Sequence, residues 1–487
     1  MIRLHDTRAK KKVEFQPLQP GKVGIYVCGV TVYDLCHVGH ARTAVSFDVI
    51  VRHLRARGYD VRFVRNITDV DDKIIRKGLA EGRPASDVAR YYADAMAADL
   101  KALGVAPPDI EPRATEHIGE MLDVIRRLED RALAYAADGD VYYSVPDFPR
   151  YGELSGQSTD ELKSGARIEV GEHKRSPLDF ALWKGAKPGE PHWESPWGPG
   201  RPGWHIECSA MSHKYLGETF DIHGGGSDLI FPHHENEIAQ SEGAFGSFAR
   251  YWMHSGMLNF GGEKMSKSLG NVITIRRVAE THDLEALRLL LISVHYRSPA
   301  AFTLARDAAG GPAYPDLDEA ESRLDYFYRT LERLDGYVKT LGNPPSPPPS
   351  ALATRFGEAM DDDFNTAAGI GHLYDAFVLA NKLLDDPKAA PKAERQSMLC
   401  ALARDARVVG QTLGIMLRPP VEFLSARRAR LCAQRDIDPQ AVEASIAERV
   451  AARAAKDFQR ADEIRAGLKA KGVELMDSPG GTTWRVM

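Results

Sequence analysis

No apolar run in this 487-residue sequence approaches the length of a membrane span; the longest, around Leu289-Leu290-Leu291-Ile292, stops far short. The opening stretch MIRLHDTRAKKK is charged from the start and lacks the apolar segment of a secretory signal. Cysteine is scarce. Five residues, at 28, 36, 208, 400 and 432, are odd in number and widely scattered, which argues against a disulfide framework. There is no surplus of positive charge either: 63 Lys+Arg against 68 Asp+Glu give a net charge of −5. That balance rules out wholesale binding of polyanions, though not a local basic stripe that meets phosphates. No internal repeat is present. What remains is a reduced, cytoplasmic, globular protein, and its 43% apolar and 27% charged residues exclude disorder. The length suits about three domains.

Gly24-Ile25-Tyr26-Val27-Cys28 is a short apolar run ending at Gly29, the pattern of a buried strand. After His40 the spacing predicts a helix, with Val45, Val49, Ile50 and Leu54 on one stripe and Gly58 past its end. Tyr59 to Val64 reads as a second strand, and a helix follows from about Asp71. Strand, glycine loop, helix, strand opens a doubly wound, Rossmann-like α/β domain with a parallel sheet, assigned to residues 1–114 and 216–260. Residues 115–215, richer in Gly, Pro and Trp, read as an insertion. The α/β pattern resumes with the strand Thr219–His223, a Gly224-Gly225-Gly226 loop, a helix from about His233 and a strand near Tyr251 to Met257. Residues 261–342 are then mostly helical. Asn343 to Ser350, NPPSPPPS, reads as a stiff linker, 351–420 as a helical bundle, and 421–487 as a small domain. That last part starts with a basic helix (Arg427, Arg428, Arg430) and ends in a hairpin from Val473 to Val486 turning at Ser478-Pro479-Gly480-Gly481.

Two segments carry the chemistry of a nucleotide. In His37-Val38-Gly39-His40, two histidines three apart at a helix start can face an anion held by backbone N–H groups. Gly39 removes a Cβ that would obstruct the nucleotide. Lys264-Met265-Ser266-Lys267-Ser268 lies between Gly261-Gly262 and Gly270, a hinged basic loop suited to closing on a triphosphate. Together they resemble the HIGH and KMSKS signatures of class I aminoacyl-tRNA synthetases, with valine for isoleucine. The resemblance implies an ATP site with Mg2+, made by Gly29, His37, Gly39, His40, Lys264, Ser266, Lys267 and Ser268, in which His37, His40, Lys264 and Lys267 are catalytic.

A second constellation is metallic. His233 and Glu237 are four apart in a helical stretch and so project roughly 40° apart around its axis. Cys28 ends the first strand and Cys208 closes the insertion; two Cys, one His and one Glu make a plausible zinc shell. Spacing alone makes this weak. However, YVCGVTVYDLCHVGH, PGWHIECSAM, DIHGGGSDLIFPHHENEIAQ and EKMSKSLGN resemble the cysteinyl-tRNA synthetases, and the likeness runs through to GTTWR. It implies one zinc held by Cys28, Cys208, His233 and Glu237, with Cys36, His234 and Glu235 outside the shell. The substrates implied are L-cysteine, ATP and tRNA(Cys). Trp204 matches the amino-acid pocket floor; Thr31 and Thr68 would hold the amino-acid end, and His223 and Asp228 the polar groups or the ribose. Arg453, Phe458, Asp462 and Asp477 match anticodon readers, Phe458 standing where tryptophan is frequent.

A thiol is far more readily lost to zinc than a serine hydroxyl, and an apolar pocket separates near-isosteres only about ten- to a few-hundred-fold. Zinc therefore acts as a specificity element, and no editing site is expected. Nothing points to an obligate dimer or a membrane; a monomer is expected. Two other readings fit parts of the sequence. A mycothiol-type cysteine ligase lacks the long C-terminus seen here. A silent zinc-containing RNA-binding homologue would have no need of intact His37, His40, Lys264 and Lys267.

Overall fold

In the computed structural model, which describes residues 1–158, 173–260, 263–264, 272–306, 311–478 and 481–486, the apolar run Lys22–Val27 forms strand β1. Val23, Ile25, Tyr26 and Val27 are all buried, as a strand covered on both faces requires. Helix α1 (Val38–Ala56) follows, and its expected stripe of Val45, Val49, Ile50 and Leu54 is at most 1% exposed. Gly58, at φ +87°, then turns the chain into β2 (Asp60–Arg65). The insertion builds its own antiparallel sheet from Ala134–Ala137, Asp140–Tyr143, Phe180–Gly185 and Gly200–Pro202, in that order. It hands the chain back through α2 (Trp204–Leu216) to β3 (Phe220–Gly226), α3 (Glu235–Phe245) and β4 (Ala249–Ser255).

The four core strands lie in the order β4-β3-β1-β2, all parallel. From β1 the chain winds one way to β2 and later returns on the other side as β3. The crevice at the carboxyl ends of β1 and β3 is therefore the topological switch point where such sheets bind ligands. One expectation fails here. Gly224-Gly225-Gly226 is the end of β3 and no loop. A Cβ on Gly224 would stand 2.2 Å from Cζ of Phe47, so the glycine lets α1 lie close on the sheet.

Beyond the α/β domain the chain is mostly helical. Leu284–Ile292 and the 26-residue helix Pro315–Thr340 lead to a bundle of Ala351–Asp361, Thr366–Asp385 and Lys392–Leu413. The proline-rich stretch between them is packed at its end, unlike a free spacer: Arg404 donates to the carbonyls of Pro347 and Pro348, and Ser350 N donates to Asp405. The last unit joins helices Pro439–Ala454 and Phe458–Ala470 to the expected hairpin, Val473–Ser478 with Gly481–Val486, whose Pro479 and Gly480 lie outside the described residues. Arg427, Arg428 and Arg430 are spent within the protein. Arg427 is buried and donates to Asp325 and the Val486 carbonyl, Arg430 pairs with Glu321, and Arg428 stacks 4.9 Å over Trp484. No described helix is long and apolar enough to cross a membrane.

Helix α1 is fastened to the helical part through two buried guanidinium groups. Arg288 pairs with Asp48 of α1 and donates to the carbonyls of Leu413 (2.8 Å) and Gly104 (3.0 Å). Arg42, 1% exposed, meets only carbonyls at and beyond the end of helix Leu284–Ile292, among them Leu291 and His295. Of these, Leu291 is one of the carbonyls a helix end leaves without an intrahelical partner. Removing one partner of a buried pair strands the other charge. Arg288→Ala is expected to destabilise the protein by about 3–5 kcal/mol, read as a lowered midpoint in urea unfolding.

Candidate active site

The loop after β1 gives the site its first edge. Its histidines cap α1 for each other: His40 N donates to His37 Nδ1 at 3.2 Å and His37 N to His40 Nδ1 at 3.4 Å, with the rings stacked 3.5 Å apart. Both rings thus spend Nδ1 on the helix start and turn other atoms to the crevice, where the N-terminal dipole favours an anion. Gly39 lies in the first turn of α1 and, with His37 and His40, lines a cleft of about 400 Å³. The chain leaving the second signature is stitched alongside: Val38 N donates to Ile273 O (2.9 Å) and Ile275 N to Cys36 O (3.0 Å). On the entering side, Lys264 pairs with Asn259 in a short antiparallel strand. Ser266, Lys267 and Ser268 lie outside the described residues.

The same cleft reaches Cys28, Gly29, Thr31, Trp204 and Asp228. Thr68 and His223 lie behind its wall, at 1% and 0% exposure. At its buried end the structure brings Cys28, Cys208, His233 and Glu237 together, one donor atom from each lying within 4.8 Å of all the others. Cys28 Sγ is 3.6 Å from Cys208 Sγ and 3.1 Å from Glu237 Oε1, and His233 Nε2 is 2.9 Å from that oxygen. The helical spacing of His233 and Glu237 does put them on one face. A second set, Cys28, His223, His234 and Glu237, satisfies the same distances.

Burial pushes the Cys208 thiol up, but the Cys28 hydrogen bond and His233 overcome it and bring it to about 6. Burial, Cys208 and Glu237 hold Cys28 well above the usual thiol range. Burial opposes charge on Glu237 too, yet His223 and His233 keep it well below the usual carboxylate range. Two sulfurs, an imidazole and a carboxylate are the donors of a zinc shell. Glu237 Oε2, near His223 Nε2 (3.0 Å) but not aligned for a hydrogen bond, is a buried oxygen left over for a cation. The residues fit a metal.

Sequence spacing gave no sign of the residues around this cluster. His205 Nδ1 meets His233 Nδ1 at 2.9 Å and so fixes that ring from outside. His234 Nδ1 meets His254 Nε2 at 2.8 Å, and His254 Nδ1 meets Thr7 Oγ1 at 2.8 Å. Only the folded structure joins these positions.

Residues 14–306 match the family of class I (C) tRNA synthetase catalytic domains, 355–418 the DALR domain, and 438–485 the cysteinyl-tRNA ligase anticodon binding domain. The cysteine–tRNA ligase of Geobacter metallireducens is 53% identical over 100% of this chain and 99% of its own length. That of Syntrophotalea carbinolica is 50% identical over 99% of both. The chain belongs to the cysteine–tRNA ligases. As such it is a class I aminoacyl-tRNA synthetase. A solved methionyl-tRNA synthetase of Mycobacterium tuberculosis, in complex with methionyl-adenylate, has the same fold: TM-score 0.57 at 17% identity, covering 84% of this chain and 94% of that one.

In this ligase the four expected anticodon residues sit on the last unit. Phe458 is 61% exposed at the start of its helix, and Asp462 follows one turn on. Asp477, on the hairpin, is held by Arg449 at 2.9 and 2.8 Å, by Thr482 at 2.7 Å, and more distantly by Arg453 at 3.6 Å. Arg449, nearly buried, had no sequence signal.

The buried histidines make stability depend on pH. Burial, then the neighbouring His223, lowers His254 to about 3, so between about 3 and 6.5 the unfolded chain binds a proton that the fold refuses. Its contribution is full above pH 6.5 and shrinks as pH falls toward 3. Thermal unfolding across that window should show a declining midpoint, with a shallower decline in His254→Gln; parallel curves would show that His254 does not carry the effect.

Proposed function

We propose that the enzyme joins L-cysteine to tRNA(Cys) in two steps, through a cysteinyl-adenylate formed from ATP and Mg2+. The carboxylate of cysteine attacks the α-phosphate, releasing pyrophosphate; the 3′-terminal ribose hydroxyl of the tRNA then takes the cysteinyl group and releases AMP. The observation that carries this reading is one cleft bounded by the His37–His40 helix start and by Cys28 of the four-donor cluster. His37 and His40, with the N-terminus of α1, would stabilise the charge gathering on the phosphate oxygens. Lys264 and Lys267, with Ser266 and Ser268, would clamp the triphosphate, and Gly29 and Gly39 leave room for the nucleotide. The solved relative in fold that is bound to methionyl-adenylate agrees with an adenylate intermediate.

Cys28, Cys208, His233 and Glu237 would hold one zinc ion, preferred over the second set because it supplies two sulfur ligands and a His233 ring steadied by His205. Bound there, zinc supplies affinity for the substrate thiol that a serine hydroxyl cannot match. Trp204, which lies 4.2 Å from the His233 ring at the edge of the cleft, would floor the amino-acid pocket, with Thr31 and Asp228 beside it. On the last unit, exposed Phe458 and Arg453 would meet anticodon bases by stacking and hydrogen bonding, with Asp462 and Asp477 beside them.

Pyrophosphate–ATP exchange should depend on cysteine and proceed without tRNA. No exchange at saturating ATP and zinc would overturn the proposal. Cys208→Ser should lose bound zinc, measured by atomic emission, and raise the KM for cysteine at least about tenfold; full zinc content in this variant would remove Cys208 from the shell.

A further inference from the structure

Behind the cleft wall runs a chain of polar contacts through Asn66, Thr68 and Glu207, each 1% exposed, that starts at Gly29 on the cleft lining. Gly29 N donates to Asn66 Oδ1 at 2.8 Å. Cys208 Sγ stands 3.7 Å from the same oxygen. The other end of that amide, Nδ2, donates to Thr68 Oγ1 at 3.3 Å, and the Thr68 hydroxyl donates to Glu207 Oε2 at 2.8 Å. Glu207 is the chain neighbour of Cys208, so the circuit returns to Asn66. It joins three elements: the loop after β1, the segment after β2, and α2.

We propose that Asn66, Thr68 and Glu207 are positioning residues that set the separation of the two sulfurs, and through it the affinity of the site for zinc and for the substrate thiol. This rests on the ligase reading above. Cys28 and Cys208 approach to 3.6 Å from different elements, and no strand pairing links α2 to the end of β1 at this level. Gly29, bonded to Cys28 in the chain, is pressed on Asn66: a Cβ there would stand 1.7 Å from the Asn66 carbonyl oxygen. The Asn66 amide can hold Gly29 only while its orientation is fixed, and Thr68 fixes it by accepting from Nδ2. The only hydrogen of the Thr68 hydroxyl is in turn committed to Glu207. Thr68 thereby has its donor and one of its acceptor sites occupied inside the wall. Its role is exerted through Asn66, without contact with the amino acid. Partners one step removed from metal ligands are where orientation is enforced, and their loss typically costs ten- to a hundred-fold in metal affinity.

The test uses the full-length enzyme with Thr68→Val, Thr68→Ala and Thr68→Ser. Zinc affinity is measured by competition with a chromophoric chelator, and KM values by pyrophosphate exchange. Val and Ala should weaken zinc binding and raise the KM for cysteine by about tenfold or more, the KM for ATP moving less than about twofold; Ser, which keeps the hydroxyl, should restore both. A raised KM for cysteine with wild-type zinc affinity would mean that Thr68 touches the substrate directly, and would overturn the proposal. So would variants indistinguishable from wild type, or a Ser variant as impaired as Val, which would mark a packing role. Absence of cysteine-dependent exchange in the wild-type enzyme would sink the ligase reading, while the zinc affinities would still decide the lock.

Discussion

A carboxylate with no exposure to solvent sets the terms for this site. Stripping water from Glu237 costs several kcal/mol unless its partners are placed well, and those partners come from three different elements. Cys28 directly follows β1, His223 lies within β3, and His233 lies in the π-helical turn ahead of α3. They converge because β1 and β3 pair with Tyr26 opposite His223 and Val27 opposite Gly224. Side chains alternate along a strand, so a slip of one residue would send Cys28 and His223 to opposite faces of the sheet and leave Glu237 without them. The Tyr26 ring stacked on His223, 5.4 Å between centroids, reinforces that register. Register, carboxylate and sulfur pair are thus one constraint.

The nucleotide end depends on a different anchor. Histidines at a helix start are useful only if the helix points at the crevice, and α1 is aimed by its middle, far from the histidines. Phe47 lies on the glycines of β3, Arg42 reaches the loop after Leu291, and Asp48 binds Arg288, which also holds the end of the bundle at Leu413. The helical part therefore fixes the aim of α1 as well as extending the molecule. Two buried guanidinium groups are an expensive way to do this, and their directional hydrogen bonds define an orientation that apolar packing would leave loose.

How much of this was legible in the sequence follows from the range of each interaction. The α1 stripe and the pairing of His233 with Glu237 rest on a four-residue spacing, and the strand around Ile25 on a short apolar run, and these the sequence displays. The convergence of Cys28 and Cys208, 180 residues apart, was readable only by resemblance to a family. His205, His254, Asn66, Glu207 and Arg449 were not readable at all, because each acts across a fold-dependent contact with no spacing of its own. The glycine run of β3 misled for a related reason. Glycine marks both free backbone and close approach, and only the position of Phe47 distinguishes them. The arginines of helix Pro420–Gln434 gave a basic reading, yet Asp325 and Glu321, about a hundred residues earlier, absorb two of them.

The two ends of the cleft are made of different material, and this bears on how one fold serves different amino acids. The end at the start of α1 combines helix N–H groups and glycines with a cap made by the His37 and His40 side chains. The far end is built from buried side chains at strand ends and helix starts that pair with one another and leave Glu237 Oε2 over. A methionyl-tRNA synthetase at 17% identity shares the fold. If selectivity for cysteine resides where the sulfurs are, as proposed, the precision with which they are held would be a property of the wall behind them, at Asn66, Thr68 and Glu207.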